Sequence, residues 1–388
     1  MPVSPAMAED LAAAVSTLYE QAELALVEKV TQALAEGLDS PLWADLKLAA
    51  IGNLRTAIEE IIAVLQVDSA GAIHQALAEA YGRGQQAAVA ELGALATGPG
   101  LAAAEALPTA AAVDRLAAAL VQETGPVHLR ILRAGLDVYR GVVAQATSAP
   151  LLGATTRREA AGRALQRFAD RGVTGFVDRS GRAWNMASYV EMATRSALGR
   201  AAVQAHTDRL AAAGVDLVIV SDAPEECERC RPWEGKVLRR DGPSGADVVE
   251  VEHATEDERM VRVRVAGSFP EARAAGLMHP NCRHSVAIYL PGVTQPRPKP
   301  PSRGTYEQSQ EQRYYERQVR KWKRKQAAAE GVQDATAARA RVRDYQKRIR
   351  ELTAETGLPR KSHREQIDAP AQPASGDRPA QSARRAVR

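Results

Sequence analysis

All three cysteines of this chain lie in two short segments that are far apart in the sequence, Cys227–Cys230 and His279–His284. The second segment also holds two of the seven histidines. Two residues separate the paired cysteines, so a tight turn can direct both thiolates at one ion. Thiolate and imidazole groups at these spacings are the ligands of a tetrahedral Zn²⁺ site. The sequence therefore predicts a metal clip that joins the two segments.

Other interpretations of the cysteines remain open. A CxxC pair can be a redox motif, but such pairs usually begin a helix that follows a strand. Here Pro224 precedes the pair and Pro232 follows it, which favours a loop. The pair could also form a single disulfide, or the three cysteines could be small buried side chains. Zinc binding is favoured over these alternatives.

The two segments offer five candidate ligands, one more than a tetrahedral site takes. His284 directly precedes the apolar run at residues 285–290, where a strand is expected to begin. His279 precedes Pro280, which restricts it to extended or turn geometry. It is expected to support the ligands by hydrogen bonding or to be an alternate ligand. The favoured ligands are Cys227, Cys230, Cys282 and His284.

The composition of the chain favours helices. Aromatic residues make up only 4% and alanine is abundant, as is typical of long, closely packed helices. We find no apolar run of about eighteen residues, so we expect no membrane span. Residues 1–10 lack the basic-then-apolar order of a signal peptide. The few cysteines fit a reducing cytoplasm.

Residues 1–150 are predicted to form an alanine-rich bundle of helices, because apolar residues recur there at helical spacing. Gly37 is expected to end the first helix. Ser40 and Pro41 have the order of a capping residue and a first helical residue. Small side chains permit close packing and leave faces on which a homo-oligomer can form. Later helices are predicted to begin after Ser69, at Thr109 and at Pro126.

Residues 151–292 are predicted to form a small α+β domain. Thr156 and Glu159 have the spacing of a capping box, and residues 186–213 give the longest helical pattern. Short β-branched or alternating runs predict strands. We expect a small, mostly antiparallel sheet against the long helix, with the metal clip at its rim. The predicted strands cover 216–221, 236–238, 260–265 and the run after His284.

The C-terminal part of the chain is predicted to be a basic helical hairpin. Five prolines between Pro291 and Pro301 indicate an extended linker over residues 293–302. Residues 303–357 carry two highly charged helical patterns joined near Gly331. Residues 358–388 are rich in proline, serine, glutamine and arginine, a composition typical of disorder.

Charge is distributed unevenly along the chain. Residues 297–388 hold 23 lysines and arginines against 11 acidic residues, a net charge of +12, so the preceding residues carry −8 of the total of +4. A basic tail on an acidic body favours an anionic partner, nucleic acid first. A solvated, charged helix without a partner is a common alternative. The candidate nucleic-acid-binding residues are Arg317, Arg320, Lys321, Lys323, Arg324 and Lys325.

Seven strings, taken in their order, resemble the phage minor capsid protein 2 family, which is related to the Mu-F-type head morphogenesis proteins. The resemblance implies a structural protein present in few copies in the phage head, near the portal vertex, which acts in assembly or DNA delivery. It implies portal or capsid proteins and packaged double-stranded DNA as partners. It also implies the virion as location, after assembly in the host cytoplasm. The strings are Asp178–Trp184, Ser188–Met192, Cys227–Lys236, Ala275–His284, Tyr289–Gly292, Arg320–Arg324 and Thr356–Pro359.

The leading hypothesis is therefore a non-enzymatic protein with no catalytic residues, in which four ligands close the zinc site. The main alternative is a zinc-assisted, HNH-like nuclease built on His279, Asn281 and His284. Such a site needs an open position on the metal, a base and an orienting residue. A phage-associated toxin is a further alternative. It would need a catalytic domain beyond about residue 300, where the sequence predicts basic helices instead.

Overall fold

Long helices dominate the computed structural model of the chain. It confirms the predicted fold class: a helical N-terminal region, a small α+β region and a C-terminal helical hairpin. The predicted helix start at Thr109 and most of the predicted tail lie outside the described residues. The structure describes residues 5–93, 110–151, 156–177, 181, 183–223, 227–242, 247–280, 282–295, 303–329 and 331–367.

The N-terminal region is built from α1 (Pro5–Ala35), α2 (Trp43–Ala49), α3 (Ile51–Gly93) and α4 (Ala110–Leu151). Gly37 follows α1 with a φ of +61°, as its predicted role requires.

The predicted helix starts at Ser69 and Pro126 are wrong, since α3 and α4 continue through these positions. The Ser69 hydroxyl donates to the Gln66 carbonyl of the preceding turn instead of capping a new helix. Around Pro126 the helix continues despite the proline, because tertiary packing stabilises it. Leu120, Val127 and Ile131 are buried at helical spacing on both sides of the proline.

The next two helices share a core with the N-terminal region. These are α5 (Arg157–Arg171), which begins with the predicted capping box at Thr156, and α6 (Met186–Ala212). One hydrophobic cluster runs from Val15 of α1 through Ile58 of α3 to Leu198 of α6. Residue 150 remains the predicted domain boundary, and the buried apolar contacts continue across it.

A small hairpin and a five-stranded sheet complete the α+β region. The hairpin pairs β1 (Thr174–Val177) with β2 (Ala183–Asn185). The sheet has the order β5-β6-β4-β3-β7. It is mostly antiparallel, as predicted, and one pairing is parallel: the chain passes outward through β5 and returns along β6 parallel to β4. Its strands are β3 (Leu217–Val220), β4 (Val237–Arg239), β5 (Asp247–Glu252), β6 (Met260–Ser268) and β7 (Val286–Ile288), and α7 (Phe269–Ala274) follows β6.

The C-terminal hairpin consists of α8 (Tyr306–Ala327) and α9 (Val332–Thr356). The rings of Tyr315 and Tyr345 lie 6.0 Å apart, which sets the two helices side by side. Val319, Val342 and Ile349 form the buried seam between them. A short 3₁₀ turn at Ser362–Glu365 then brings the chain back against α8.

Among the described residues, α3 is the one helix long and apolar enough to cross a membrane. This is weak evidence for a span. The helix packs a row of buried residues, Ile58, Ile73 and Leu77 among them, into the shared core.

Candidate metal centre and basic hairpin

The CxxC segment is a turn at one end of the sheet, as the flanking prolines predict. The backbone N–H groups of Cys230 and Arg231 both donate to the Cys227 carbonyl, at 3.1 Å each. A short 3₁₀ turn, Arg231–Trp233, then leads into β4. Cys230 is fully buried in the apolar cluster beneath the sheet.

The second segment forms another turn before β7. The Cys282 N–H donates to the His279 carbonyl at 2.9 Å. Two hydrogen bonds join this segment to the end of β3: Ser221 N–H donates to the Ser285 carbonyl and Ser285 N–H donates to the Ser221 hydroxyl, each at 2.9 Å. Because β3 pairs with both β4 and β7, the two loops emerge at the same end of the sheet.

All five candidate ligands lie together at that end of the sheet. Their donor atoms form two groups of three that share Cys230, and within each group the atoms lie within 4.8 Å of one another. One group is completed by Cys227 and His279. The other is completed by Cys282 and His284.

The distances in the second group are close to those of a tetrahedral zinc site. A Zn–S bond of about 2.3 Å places two thiolates about 3.8 Å apart at the tetrahedral angle, and the Sγ atoms of Cys230 and Cys282 are 3.7 Å apart. Cys282 Sγ lies 3.4 Å from His284 Nδ1. In the first group Cys227 Sγ and His279 Nε2 are in direct hydrogen-bonding contact at 3.0 Å. The donor set therefore fits zinc, with one histidine in excess.

Each histidine has its second ring nitrogen held by an acceptor. His284 Nε2 lies 2.7 Å from the Glu234 carboxylate, and both side chains are almost fully buried. His279 Nδ1 lies 2.7 Å from the Pro280 carbonyl. A carboxylate or carbonyl behind a histidine fixes its ring orientation and tautomer at metal sites. Sequence reasoning missed Glu234, which stands just after the CxxC turn and carries no motif of its own.

The environment of the cluster shifts the pKa values of its ligands. A hydrogen bond from Cys230 and further ones from His284 lower the pKa of Cys282. The same contact with Cys282, together with burial, raises the pKa of Cys230. Burial alone would lower the pKa of His284, but hydrogen bonds to Cys282 and Glu234 outweigh it and raise that pKa. The cluster thus favours one thiolate even before a cation binds.

The basic hairpin places most of its predicted nucleic-acid-binding residues against the rest of the chain. Arg324 is buried and lies 3.1 Å from Glu23, and Arg320 lies 3.4 Å from Glu20. Asp170 on α5 accepts ion pairs from Lys321 at 2.9 Å and from Lys325 at 3.6 Å. The two remaining candidates are Arg317, which is exposed, and Lys323, which is half-buried.

Glu20 and Glu23, which sequence reasoning missed, lie on the same face of α1 as the core residues Tyr19 and Leu26. Charged residues on an otherwise apolar helical face are a sequence signal for a buried partner. The sequence therefore indicates that Glu20 and Glu23 have buried partners, but it does not indicate which cations pair with these carboxylates.

A second group of buried charges holds the 3₁₀ turn after α9. Arg364 lies 3.2 Å from Glu191 of α6 and 3.6 Å from both Glu9 of α1 and Glu316 of α8. Lys361 forms a further ion pair with Glu9. Burial would raise the pKa of Glu9, but these cations lower it to about 2. The C-terminal hairpin is therefore docked on α1 and α6 mainly through charged groups.

Comparisons with known proteins relate the chain to phage structural proteins. Residues 3–354 match the family described as phage minor capsid protein 2. A structural protein of Lactococcus phage LL-H is 28% identical over 234 residues, which cover 57% of this chain and 58% of the relative, so the match spans little more than half of that protein. A structural protein of Lactococcus phage mv4 is 39% identical over 101 residues, 24% of this chain and 82% of the relative. No solved structure matches the chain. Since the family match extends over nearly all of its length, this chain belongs to the phage minor capsid protein 2 family.

Proposed function

We propose that this phage structural protein is a non-enzymatic component of the virion head, located near the portal vertex. In this proposal a zinc clip closes its α+β region, and its basic C-terminal part contacts packaged DNA. The observation that carries the proposal is the convergence of three thiols and two imidazoles from two distant segments at one end of the sheet. Family membership supports the capsid role.

The zinc would be held by Cys227, Cys230, Cys282 and one histidine. Four protein ligands leave no open position for a water, which is how structural zinc sites differ from catalytic ones. Bound zinc would supply a crosslink between the loop after β3 and the loop before β7. A sheet with three-residue strands at β4 and β7 buries little apolar surface, so a crosslink of this kind would add directly to its folding free energy.

The same geometry supports the structural hypothesis over the nuclease alternative. A nuclease would need a free histidine as base and an open metal position. Each histidine here has one nitrogen directed at the thiols and the other at Glu234 or Pro280. Asn281, the third residue of the nuclease hypothesis, lies outside the described residues.

The proposed DNA contact relies on the net charge of +12 beyond residue 296. Since Arg320 and Arg324 are buried against glutamates, the contact falls to exposed cations such as Arg317. Phosphate contacts of this kind are independent of base sequence and weaken steeply with salt. The logarithm of the DNA association constant should fall linearly with the logarithm of the salt concentration. In the double variant Arg317→Gln and Lys323→Gln, the magnitude of this slope should decrease by about 0.9 for each phosphate contact removed. Arg133→Gln, an exposed change on α4 of the N-terminal region, is the matched control.

Mass spectrometry of purified phage particles tests the virion assignment. The protein should be present in a few copies per particle, and chemical crosslinking of intact particles should join it to the portal protein. An enzyme made only in infected cells would be absent from particles, and that result would reject the proposal. Crosslinks restricted to distant capsid faces would reject the portal location alone.

A further inference from the structure

A cleft of about 550 Å³ lies between the metal centre and the beginning of α8. The CxxC turn forms one wall, the turn at residues 279–284 forms the second, and the first two turns of α8 form the third. Four arginines and two glutamates are the charged residues that line it. We call it the arginine cleft, and these residues are Arg229, Arg231, Arg283, Arg313, Glu228 and Glu307.

The arginine cleft is cationic. The cleft is lined by four guanidinium groups and two carboxylates. A zinc ion bound by three thiolates and a neutral histidine would add a net charge of −1. Arg229 and Arg231 are exposed, whereas Arg283 and Arg313 are half-buried. Guanidinium groups present planar forks of donors that match the oxygens of a phosphate.

Arg313 gives the clearest indication that an anion belongs in the cleft. Among the described residues it has no hydrogen-bond or ion-pair partner within bonding distance, although it lies half-buried on the face of α8 that points at the body of the protein. Burial and the neighbouring charges of Arg195, Arg364 and Arg283 lower the pKa of Arg313 to about 10, although Glu9 opposes the shift. An anion beside Arg313 would offset this excess of positive charge.

We propose that the arginine cleft binds phosphate groups, with Arg313 as its central donor and Arg229 and Arg231 closing on the ligand from the CxxC turn. The volume of the cleft is far larger than one phosphate and is in the range of small-ligand sites. A stretch of nucleic-acid backbone therefore fits it better than a free phosphate ion. The inference rests on the proposed DNA contact for the source of the phosphate. It places the main DNA contact at the rim of the metal centre and not on the basic face of α8.

Binding of a fluorescein-labelled duplex to the full-length protein, measured by anisotropy over a range of salt concentrations, tests the cleft. Each lost charge-assisted contact is worth about tenfold in affinity, so Arg229→Gln with Arg313→Gln should weaken binding about 100-fold. The control Arg133→Gln, an exposed change on α4, should leave it unchanged. Zinc content and urea midpoint should match the wild type in both variants, which separates loss of binding from loss of folding. Equal affinity of wild type and the double variant would overturn the inference.

Two further arms distinguish the ligand source from the proposed function. If wild type fails to bind DNA but inorganic phosphate, titrated by calorimetry, binds and is lost in the double variant, the cleft is a site for free phosphate and the DNA contact is rejected. If DNA binding is lost with Arg317→Gln and Lys323→Gln but is kept in the cleft variant, the DNA contact stands and the cleft inference fails. Competition by polyglutamate at matched ionic strength, without any binding of phosphate, would overturn the choice of phosphate in favour of an acidic protein segment.

Discussion

Glu23 and Arg324 stand 301 positions apart in the chain and form a buried ion pair with an oxygen–nitrogen distance of 3.1 Å. The other Glu23 oxygen accepts the Val173 N–H at 2.6 Å and the Asn185 side-chain amide at 2.8 Å. One carboxylate thus joins α1, the end of α5, the N-cap of α6 and the C-terminal hairpin. This contact fixes where the basic helix lies, and it directs Arg324 inward instead of toward solvent.

Arg324→Met should destabilise the protein by about 3–5 kcal/mol, because it leaves the buried Glu23 carboxylate without its cation. Glu23→Gln combined with Arg324→Met should recover part of that loss, since the uncompensated charge is then gone. Urea unfolding followed by circular dichroism measures both. Arg348→Met removes an exposed pair with Asp344 and should change stability by less than about 0.5 kcal/mol. An Arg324→Met variant as stable as this control would disprove the structural role of the pair.

The stability of the protein should fall as pH rises from about 4.5 to 7 because of Glu20. Burial raises the pKa of Glu20 to about 7, although Arg320 opposes the shift. A carboxyl group whose folded pKa is raised contributes stability that is fully present below the unfolded pKa of about 4.5 and lost as pH passes the folded value. Glu20→Gln should therefore flatten this part of the profile of urea midpoint against pH. Glu351→Gln, on the exposed face of α9, should leave the slope unchanged. Parallel slopes for Glu20→Gln and wild type would contradict the assignment.

Purified protein should contain one equivalent of zinc by elemental analysis. Cys230→Ser should release the metal and lower the melting temperature, because Cys230 belongs to both groups of ligands and is fully buried. Glu228→Gln, an exposed change between the two cysteines, should keep both zinc and melting temperature. Full zinc content in the Cys230→Ser protein would show that Cys230 is not a ligand of the metal.

Glu234→Gln should lower zinc affinity by about 10- to 100-fold if His284 is the fourth ligand, since Glu234 holds the imidazole in place. Under the same assignment His284→Ala loses zinc and His279→Ala retains it. Competition with a chromophoric chelator measures all three affinities. The reverse order of the two histidine variants would make His279 the ligand and assign His284 to the supporting role.

Sequence patterns were sufficient for the helical class, the cysteine turns and the proximity of the two ligand segments, but not for the helix boundaries at Ser69 and Pro126. Apolar periodicity and capping residues act locally, so Thr156 and Gly37 could be interpreted without the fold. Strand β5 was missed, although Glu250 and Glu252 alternate with Val249 and Val251 as expected of a half-buried strand. The parallel pairing of β4 and β6 depends on the path of the whole chain, which no local pattern specifies.

The basic cluster on α8 illustrates a different limit. Composition gives the amount of charge on a helix but not the direction in which each side chain points. Arg320 and Arg324 are four residues apart and lie on the inward face, opposite acids on α1 that are about 300 residues away. Only the tertiary contact separates these two arginines from the exposed Arg317.

Gly84 allows α3 and α6 to approach closely, so a larger residue at this position would force the two helices apart. A Cβ at residue 84 would overlap the Ala202 carbonyl of α6, which is backbone and cannot rotate away. Gly84→Ala should therefore cost about 1–3 kcal/mol through separation of the two helices. Gly82→Ala, two residues earlier in α3, meets no atom within 4 Å and should stabilise by about 0.5–1 kcal/mol, because alanine restricts the unfolded chain. Urea midpoints of the two variants should lie on opposite sides of the wild-type value, and a stabilised Gly84→Ala protein would show that the helices are not packed this closely.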